Sequence, residues 1–370
     1  MKRKNIYIIP SLGYGGAESF LLRLIPHMKY ENIIITLFNT KYDKDRLKNI
    51  KVKYITLDPL RTSIKDLYSF FQLAFSLNKK DTIFSWLYIA DLFASFLKIF
   101  LFWKKFKLIW NVRNTIIDIH QYSLASYFSY LILNSLLNRI PNKIIFNSKE
   151  SMNQHIKNGY DKEKCFLIHN GFTRHASINN KKNKNTSFNI IYVARLHKQK
   201  NHQLLFESLK ILRKKYKFDF NVHLVGKKID RNNFKLIQKL KELNIYENII
   251  LHGLLDQVSV HELFSKCDIT LLLSNYGESF PNVIAEAMLY GTFPIATNIG
   301  ETSNIVGSFG DIIPINQSAK EISRLIYKYY LEKKNNFKFW TQRIKDCQEF
   351  SYDRFKIQTI AQKFLSISNS

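Results

Sequence analysis

The pattern that most constrains the fold is a repeated alternation of short apolar runs with longer stretches of helical periodicity. The apolar runs are rich in Ile, Val and Phe, and most are followed by a segment whose apolar residues recur every three or four positions. This alternation predicts parallel sheets with helices on both faces. In the first half, the predicted strands are 5–9, 32–38, 52–57, 82–86, 107–112, 143–146 and 166–172, and the predicted helices are 19–28, 63–77, 87–102 and 123–137.

A second series of the same kind begins at Phe188, after a polar and charged stretch at 177–187 that reads as a linker. Because 370 residues exceed one ordinary core, we expect two α/β domains. The tail at 351–366 has the pattern of one amphipathic helix without a sheet of its own. The predicted strands of this half are 189–195, 220–225, 248–252, 268–273 and 293–297, and the predicted helices are 202–212, 233–243, 257–267 and 319–332.

Composition limits the class of protein without identifying its function. With 46% hydrophobic and 23% charged residues, the sequence is typical of a globular protein. A net charge of +27 favours nucleic acid, an anionic membrane surface or anionic substrates as partners, or else reflects solvated surface lysines. No nucleic-acid-binding module is recognised in the sequence. Three separated cysteines without a metal-binding spacing, and the lack of a signal peptide or clean membrane span, lead us to expect a cytoplasmic protein. No cofactor is expected.

The stretch 274–300 carries the strongest chemical pattern. Glu278 and Glu286 lie eight positions apart, the first in a loop and the second inside a helical run. Pro281 is predicted as the first helical residue and Gly291 as a left-handed C-cap. Backbone N–H groups of the first turn then form an anion site. These groups belong to Ser279, Phe280 and Asn282.

Two carboxylates on either side of an anion site suggest recognition of hydroxyl groups that flank a phosphate. A nucleotide-sugar has this arrangement of groups. The same pair is compatible with metal ligands or an acid–base pair. No Asp-rich or His cluster accompanies the pair in the sequence, so the metal interpretation is the weaker one.

Two cations and a glycine-rich turn extend the candidate site. Arg195 and Lys200 flank a short loop past a predicted strand, where a planar guanidinium and an ammonium group can hold a diphosphate. Solvated surface cations are the alternative. Near the N-terminus, the turn SLGYGGAE joins a strand to a helix, so that Gly15 and Gly16 allow close backbone approach to a ligand.

Several motifs in collinear order resemble family 4 glycosyltransferases, which have the GT-B fold. ESFPNVIAEAMLYG, continued by FPIATNIGETSNIV, is similar to the E-x7-E signature of that family. ARLHKQKNHQLL is similar to its R-x4-K diphosphate clamp. Four further stretches are similar to N-terminal motifs of the family: SLGYGGAES, FSWLYIAD, IWNVRNT and FNSKESMNQHIKNGY…FLIHNGF.

The resemblance implies an α/β fold of two Rossmann-like, doubly wound domains that face each other across a cleft. It also implies a C-terminal helix that crosses back to the first domain. In this numbering, 1–174 with 352–370 would bind the acceptor, and 175–351 would bind the nucleotide-sugar. The family is retaining and needs no bound metal, so a metal-independent hexosyltransferase is expected.

Roles follow from the same resemblance, position by position. Glu278 would contact the donor sugar near the reacting carbon, and Glu286 would hold the ribose hydroxyls. Arg195 and Lys200 would stabilise the leaving diphosphate. The other donor-binding residues implied are Ser279, Phe280, Pro281, Asn282, Gly15 and Gly16.

The acceptor side is less well defined by the resemblance. Relatives often carry His after the W-x-Y pair, whereas this chain has Ile89. Polar residues expected at the carboxyl ends of strands are the candidates for that side, because ligands of open α/β sheets bind there. These candidates are Tyr88, Asn111, Arg113 and Asn114.

Together these expectations describe a retaining glycosyltransferase that moves a sugar from a UDP- or GDP-sugar to a saccharide or lipid-linked acceptor in bacterial surface polysaccharide synthesis, either lipopolysaccharide or capsule. The alternatives are another GT-B-type nucleotide-sugar enzyme, such as an epimerase, and a non-catalytic relative that docks on a membrane.

Charge and aromatic content also predict a peripheral location on the inner face of the plasma membrane. Basic and aromatic residues interleave at 96–107, and residues 1–174 carry 27 Lys and Arg against 12 Asp and Glu. A buried helix whose lysines extend to the surface at one end is the alternative.

Overall fold

The computed structural model describes residues 3–13, 15–40, 43–48, 50–60, 62–115, 123–174, 178, 182 and 187–370. The chain divides into two compact units. Unit one comprises Met1–Thr173 and Phe355–Ser370, and unit two comprises Arg174–Arg354. Apart from residues 178, 182 and 187, the predicted linker at 177–187 lies outside the described residues. Within the described residues, no helix combines the length and apolarity that a membrane crossing requires.

Unit one is built on a seven-stranded parallel sheet in the order β3-β2-β1-β4-β5-β6-β7. The strands are β1 (Lys4–Ile9), β2 (Glu31–Thr36), β3 (Lys53–Thr56), β4 (Thr82–Trp86), β5 (Lys107–Val112), β6 (Lys143–Phe146) and β7 (Cys165–Leu167). The helices are α1 (Gly16–Leu24), α2 (Asp43–Leu47), α3 (Ile64–Ser76), α4 (Leu87–Phe100), α5 (Leu124–Ile132) and α6 (Lys149–Lys157).

Each face of this sheet has its own core, because the strands are buried on both sides. On one face, α3, α4 and α5 pack against residues such as Ile8 and Trp110. On the other face, α1 packs against residues such as Tyr7 and Trp86. A π-helical segment, Leu133–Leu137, continues α5.

Unit two has a six-stranded parallel sheet in the order β10-β9-β8-β11-β12-β13. The strands are β8 (Phe188–Val193), β9 (Phe220–Val225), β10 (Ile249–Gly253), β11 (Ile269–Leu272), β12 (Phe293–Thr297) and β13 (Asp311–Ile313). The helices are α7 (His202–Lys215), α8 (Phe234–Glu242), α9 (Gln257–Lys266), α10 (Asn282–Leu289), α11 (Thr302–Val306), α12 (Ala319–Asn335) and α13 (Phe337–Phe355).

Both sheets follow the same doubly wound order, in which the first strand is an inner strand and the direction of chain progression reverses beside it. The reversal falls between β1 and β4 in unit one and between β8 and β11 in unit two. Loops diverge at such a switch point, so a crevice forms at the carboxyl ends of the strands.

The tail of the chain is two helices rather than the single helix predicted at 351–366. α13 ends at Phe355, and α14 (Ile357–Asn369) packs in the unit-one core that contains α1. Between them, Lys356 is extended and pairs with Phe172. The Phe172 N–H donates to the Phe355 carbonyl at 2.7 Å, and the Ile357 N–H donates to the Phe172 carbonyl at 3.0 Å. This long-range pairing breaks the helix at a point where the sequence has no Pro or Gly.

Candidate active site

The site in unit two begins where the loops after β8 and β11 meet. These strands are neighbours, with Ile190 opposite Ile269, so their carboxyl ends lie side by side. Gln199 joins the two loops: its carbonyl accepts from the Asn275 N–H at 2.9 Å, and its side-chain amide donates to the Tyr276 carbonyl at 2.9 Å. The switch point therefore brings together two segments that lie far apart in the sequence.

Lys200 and Glu278 form an ion pair at this junction. Their side chains are 18% and 12% exposed, and Ser274 Oγ donates to Glu278 Oε1 at 2.8 Å. Tyr192, at the end of β8, donates from its hydroxyl to the Lys200 carbonyl. The ammonium and the carboxylate are thus held by both loops, with one edge of each still open to solvent.

Arg195 lies two residues after β8 and is exposed. Its Nη2 donates to Gln199 Oε1 at 3.3 Å, which holds the guanidinium along the same loop as Lys200. Lys200 is the last residue of a short 3₁₀ helix, Lys198–Lys200, which is capped by His197. Partial burial and the nearby cations, Arg195 first among them, lower the pKa of His197.

The start of α10 differs by one position from the prediction. Pro281 is the N-cap, with φ −71° and a non-helical ψ of 92°, and the helix begins at Asn282. Ser279 and Phe280 are buried in the turn before it. Pro281 has no side chain able to accept from the first turn, and that turn contains no acidic residue. The positive end of the helix dipole lies at this turn, which favours an anion.

Gly300 fixes the loop that carries Glu278, a feature that the sequence pattern did not indicate. Its φ is +57°, and an added Cβ would lie 2.3 Å from the Glu278 carbonyl oxygen and 2.4 Å from that of Ser279. The Glu301 N–H donates to the same Ser279 carbonyl at 2.9 Å. Only glycine permits this close approach of two backbones.

Glu286 lies on α10 and contacts α9. Gln257 Nε2 donates to Glu286 Oε1 at 3.2 Å, and His261 Nε2 lies 3.9 Å from Glu286 Oε2. On its other side, the His261 ring meets the Tyr290 hydroxyl at 3.1 Å from Nδ1. These partners of Glu286 were missed from the sequence, because no periodicity links α9 to α10.

Gly15 and Gly16 lie in unit one, at the turn between β1 and α1. Gly15 is the N-cap and α1 begins at Gly16, three residues earlier than predicted. An added Cβ on Gly15 would lie 2.2 Å from Glu18 Oε2, so the glycine leaves room for that half-buried carboxylate. Burial raises the pKa of Glu18, against the opposing effect of Arg46. The contribution of this turn to donor binding stays a prediction.

Three of the four acceptor-side candidates are buried in unit one. The Tyr88 hydroxyl lies 2.8 Å from His155 Nε2, and Asn111 Nδ2 donates to the Ser85 carbonyl at 3.2 Å. Such contacts favour a structural role for these side chains.

Arg113 is held in the same way. It donates to Asn170 Oδ1 at 2.8 Å and to Asn111 Oδ1 at 3.2 Å, and its guanidinium lies over the Phe20 ring at 4.7 Å. Burial lowers its pKa to about 9, with Asp91 acting in the opposite direction. Among the four candidates, Asn114 is the one with a partly exposed side chain. Ile89, on α4, is half-buried and packs against the core that α3, α4 and α5 cover.

The chain is similar to known proteins both in sequence and in structure. Residues 174–345, slightly less than half of the chain, match the family described as Glycosyl transferases group 1. The structure of Anabaena Alr3699/HepE in complex with UDP-glucose is similar at a TM-score of 0.78, with 20% identity and 98% of each chain covered. The lipopolysaccharide outer core galactosyltransferase WaaB is similar at a TM-score of 0.71, with 18% identity and 98% of each chain covered.

A sequence relative gives a further match. An uncharacterized 41.2 kDa protein in the cps region of Klebsiella pneumoniae is 24% identical over 251 residues. The match covers 65% of this chain and 65% of that relative, which is less than two thirds of its length.

The predicted fold class is confirmed: the chain has the GT-B fold, with two Rossmann-like units. The region that matches the Glycosyl transferases group 1 family lies within unit two.

Proposed function

We propose that this protein is a glycosyltransferase that moves a sugar from a nucleotide-diphosphate sugar to a saccharide acceptor. The observation that carries the proposal is the Lys200–Glu278 pair at the switch point of unit two. It lies within the region that matches the group 1 family, and Glu278 directly precedes the turn into α10. A fixed cation, a carboxylate and a helix amino end together suit an anionic, hydroxyl-rich donor.

In the proposed reaction, the bond between the anomeric carbon and the diphosphate oxygen breaks while a bond to an acceptor hydroxyl forms. Negative charge develops on the leaving diphosphate, and Lys200, Arg195 and the amino end of α10 stabilise it. These groups supply the role that a metal ion has in other transferases, so the reaction is proposed to be metal-independent. The acceptor proton passes to the leaving phosphate on the same face, which retains the anomeric configuration.

The donor is proposed to lie along the turn from Glu278 to Asn282. Glu278 contacts the sugar, and Glu286 accepts hydrogen bonds from the ribose hydroxyls. The side-chain amide of Gln257 donates to one oxygen of Glu286, which orients the carboxylate. A UDP-sugar is the favoured donor, because HepE, a structural neighbour, is in complex with UDP-glucose.

The acceptor is proposed to be a lipid-linked saccharide in surface polysaccharide synthesis at the inner face of the plasma membrane. Two similarities support it. WaaB is a lipopolysaccharide outer core galactosyltransferase, and the Klebsiella relative is in a cps region. On this proposal the protein works in the cytoplasm as a hexosyltransferase.

Donor binding tests the proposal directly. A panel of UDP- and GDP-sugars is followed by ligand-observed NMR and thermal shift, and then transfer to a saccharide acceptor is measured. We expect Glu286→Ala to weaken donor binding by at least tenfold, as loss of charge-assisted hydrogen bonds costs about 1.5–3 kcal/mol. Lys200→Ala is expected to abolish transfer.

The matched controls are Glu207→Ala and Lys210→Ala, which change exposed residues on α7. They should bind and transfer like the unmodified protein. Turnover at the unmodified rate in both Glu286→Ala and Lys200→Ala would refute the site. Inversion at the anomeric carbon of the product would refute the proposed stereochemistry while leaving the donor site in place.

A further inference from the structure

The outer side of the helical layer in unit one is apolar, where a helix on the surface of a soluble protein is usually polar. Helices α3, α4 and α5 bury their inner sides on the same face of the sheet. On α3, the exposed residues Tyr68, Phe71 and Phe75 recur at helical spacing. They are separate from the inner residues of α3, which are buried in the core. Packing within the unit accounts for one apolar side of α3, so the second side needs a separate explanation.

The end of α4 continues this surface. Phe100, Phe102 and Trp103 are 70%, 75% and 50% exposed. The Trp103 ring centroid lies 5.3 Å from that of Phe102 and 6.4 Å from that of Phe100. Lys104 Nζ donates to the Phe75 carbonyl, which places this aromatic group beside the end of α3. We call the six residues the outer apolar face: Tyr68, Phe71, Phe75, Phe100, Phe102 and Trp103.

Cations lie beside the outer apolar face. The segments 64–76, 87–107 and 123–139, all within the described residues, contain six Lys or Arg and two Asp. Asp91 is fully buried, so Asp66 is the acidic residue of these segments that reaches the surface. A groove of about 480 Å³ lies beside the face. Its apolar lining includes Ile99, Phe102 and Ile140, and its cations are Lys98, Lys105 and Arg139.

We propose that the outer apolar face docks on a lipid bilayer that contains anionic phospholipids. Exposed aromatic rings prefer the boundary between headgroups and acyl chains, and lysines beside them attract the phosphates. The apolar surface extends over a helix, a helix end and a turn, which suits a broad lipid surface better than the groove of one partner. This proposal rests on the surface of unit one and does not depend on the proposed transferase activity.

The chain contains its own reporter for such docking. Of its four tryptophans, Trp86, Trp110 and Trp340 are buried, and Trp103 is exposed. Addition of vesicles of phosphatidylcholine with phosphatidylglycerol should therefore shift the fluorescence to shorter wavelength and reduce quenching by acrylamide. Rising salt should reverse the shift, because the attraction to anionic lipid is screened. Trp103→Phe should still float with vesicles and should lose the spectral change.

Variants of the full chain separate the apolar and the charged contributions in vesicle flotation. Phe100→Ser with Phe102→Ser is expected to reduce the partition coefficient by roughly tenfold or more. Lys105→Gln with Arg139→Gln is expected to reduce it by about fivefold for each cation removed. The matched controls, in unit two, are Phe234→Ser for the aromatic pair and Lys210→Gln with Lys235→Gln for the cations, all at exposed positions.

Three results would overturn the proposal. The first is no flotation with anionic vesicles at low salt. The second is an equal loss of flotation in the unit-one variants and in their controls, with circular dichroism unchanged. The third is a dimer in solution that Phe100→Ser with Phe102→Ser converts to a monomer, with no vesicle binding by either form. The face would then serve self-association.

Discussion

At the scale of single residues, the Lys200–Glu278 ion pair links function to stability. Both side chains are largely withdrawn from water, and Ser274 adds a hydrogen bond to the carboxylate. Removal of one partner leaves the other charge without compensation in a site of low dielectric constant. Loss of activity in one variant therefore does not separate chemistry from folding, and the pair has to be changed together.

We expect Lys200→Met to lower the free energy of unfolding by about 1–3 kcal/mol, because Glu278 is left unpaired. Addition of Glu278→Gln should restore part of that loss, since no unpaired charge then remains. Transfer activity should stay absent in the double variant. Urea unfolding of all four proteins of the cycle, with a transfer assay, measures both effects. Strict additivity of the two stability changes would contradict the pairing.

Gln257 is expected to act as a positioning residue for Glu286. Gln257→Leu keeps the size of the side chain and removes the hydrogen bond of 3.2 Å. Because the carboxylate then loses its orientation, the donor KM should rise by about fivefold to tenfold while kcat changes little. Steady-state kinetics measures the split. Gln238→Leu, which breaks a similar exposed contact with Glu242, is the control and should leave both constants unchanged.

At the scale of elements, α14 completes one core of unit one from the far end of the chain. Phe364 is fully buried, and its ring lies 5.8 Å from Phe20 and 6.3 Å from Trp86 between centroids. The helix covers apolar side chains of α1 and of the central strands. Its packing, rather than its helical propensity, keeps it in place.

Phe364→Ala is expected to destabilise unit one by about 3–5 kcal/mol, because a large ring is lost from a closed core and leaves a cavity. Urea unfolding followed by fluorescence measures this, since Trp86 stacks on Phe364. Phe339→Ala, at an exposed position on α13, is the control and should change stability by less than about 0.5 kcal/mol. Similar losses in both variants would show that α14 is not the covering element.

The elements themselves follow closely from sequence periodicity. The strand predicted at 220–225 matches β9, and the helix predicted at 257–267 differs from α9 by one residue. Several elements were missed. β13 has three residues and α11 has five, too few to show a period. Two longer helices were missed as well: α6 has nine residues, and most of α13 precedes the predicted tail helix. The break at Lys356 was missed as well, because a strand-like pairing with Phe172 causes it rather than a local signal.

At the scale of the whole molecule, buried histidines make stability depend on pH in both units. Burial lowers the pKa of His155 in unit one and of His202 in unit two to about 4. His155 Nδ1 donates to the Ser151 carbonyl at 2.7 Å, which leaves Nε2 to accept from Tyr88. The unfolded chain binds a proton below about pH 6.5 at each site, and the folded chain does not until about pH 4. Their contribution is therefore full above pH 6.5 and is lost as the pH falls towards 4.

His155→Asn isolates this effect, because Asp91, whose pKa burial raises, acts in the opposite direction in the unmodified protein. The difference in unfolding free energy between the two proteins should be constant above pH 7. It should then shift against the unmodified protein by up to about 3 kcal/mol by pH 4. Thermal or urea unfolding across this range measures the difference. A difference that stays constant from pH 7 to pH 4.5 would contradict the assignment.

The sequence by itself determined the class of fold and the residues of the donor-side motifs. Alternating apolar runs and helical periods specify parallel sheets, since a strand buried on both faces and a helix buried on one face leave different patterns. Glu278 and Lys200 were both named as site residues from local patterns. Their roles towards a nucleotide-sugar stay predictions.

Tertiary structure alone decided which of these residues meet. Lys200 contacts Glu278 across 78 positions because β8 and β11 are neighbours, and strand order leaves no local signal. Similarly, the local sequence around a polar residue at the end of a strand is the same whether that residue is exposed or buried against a partner. Asn111 and Arg113 are buried and hydrogen-bonded to each other, and only the packed fold determines this.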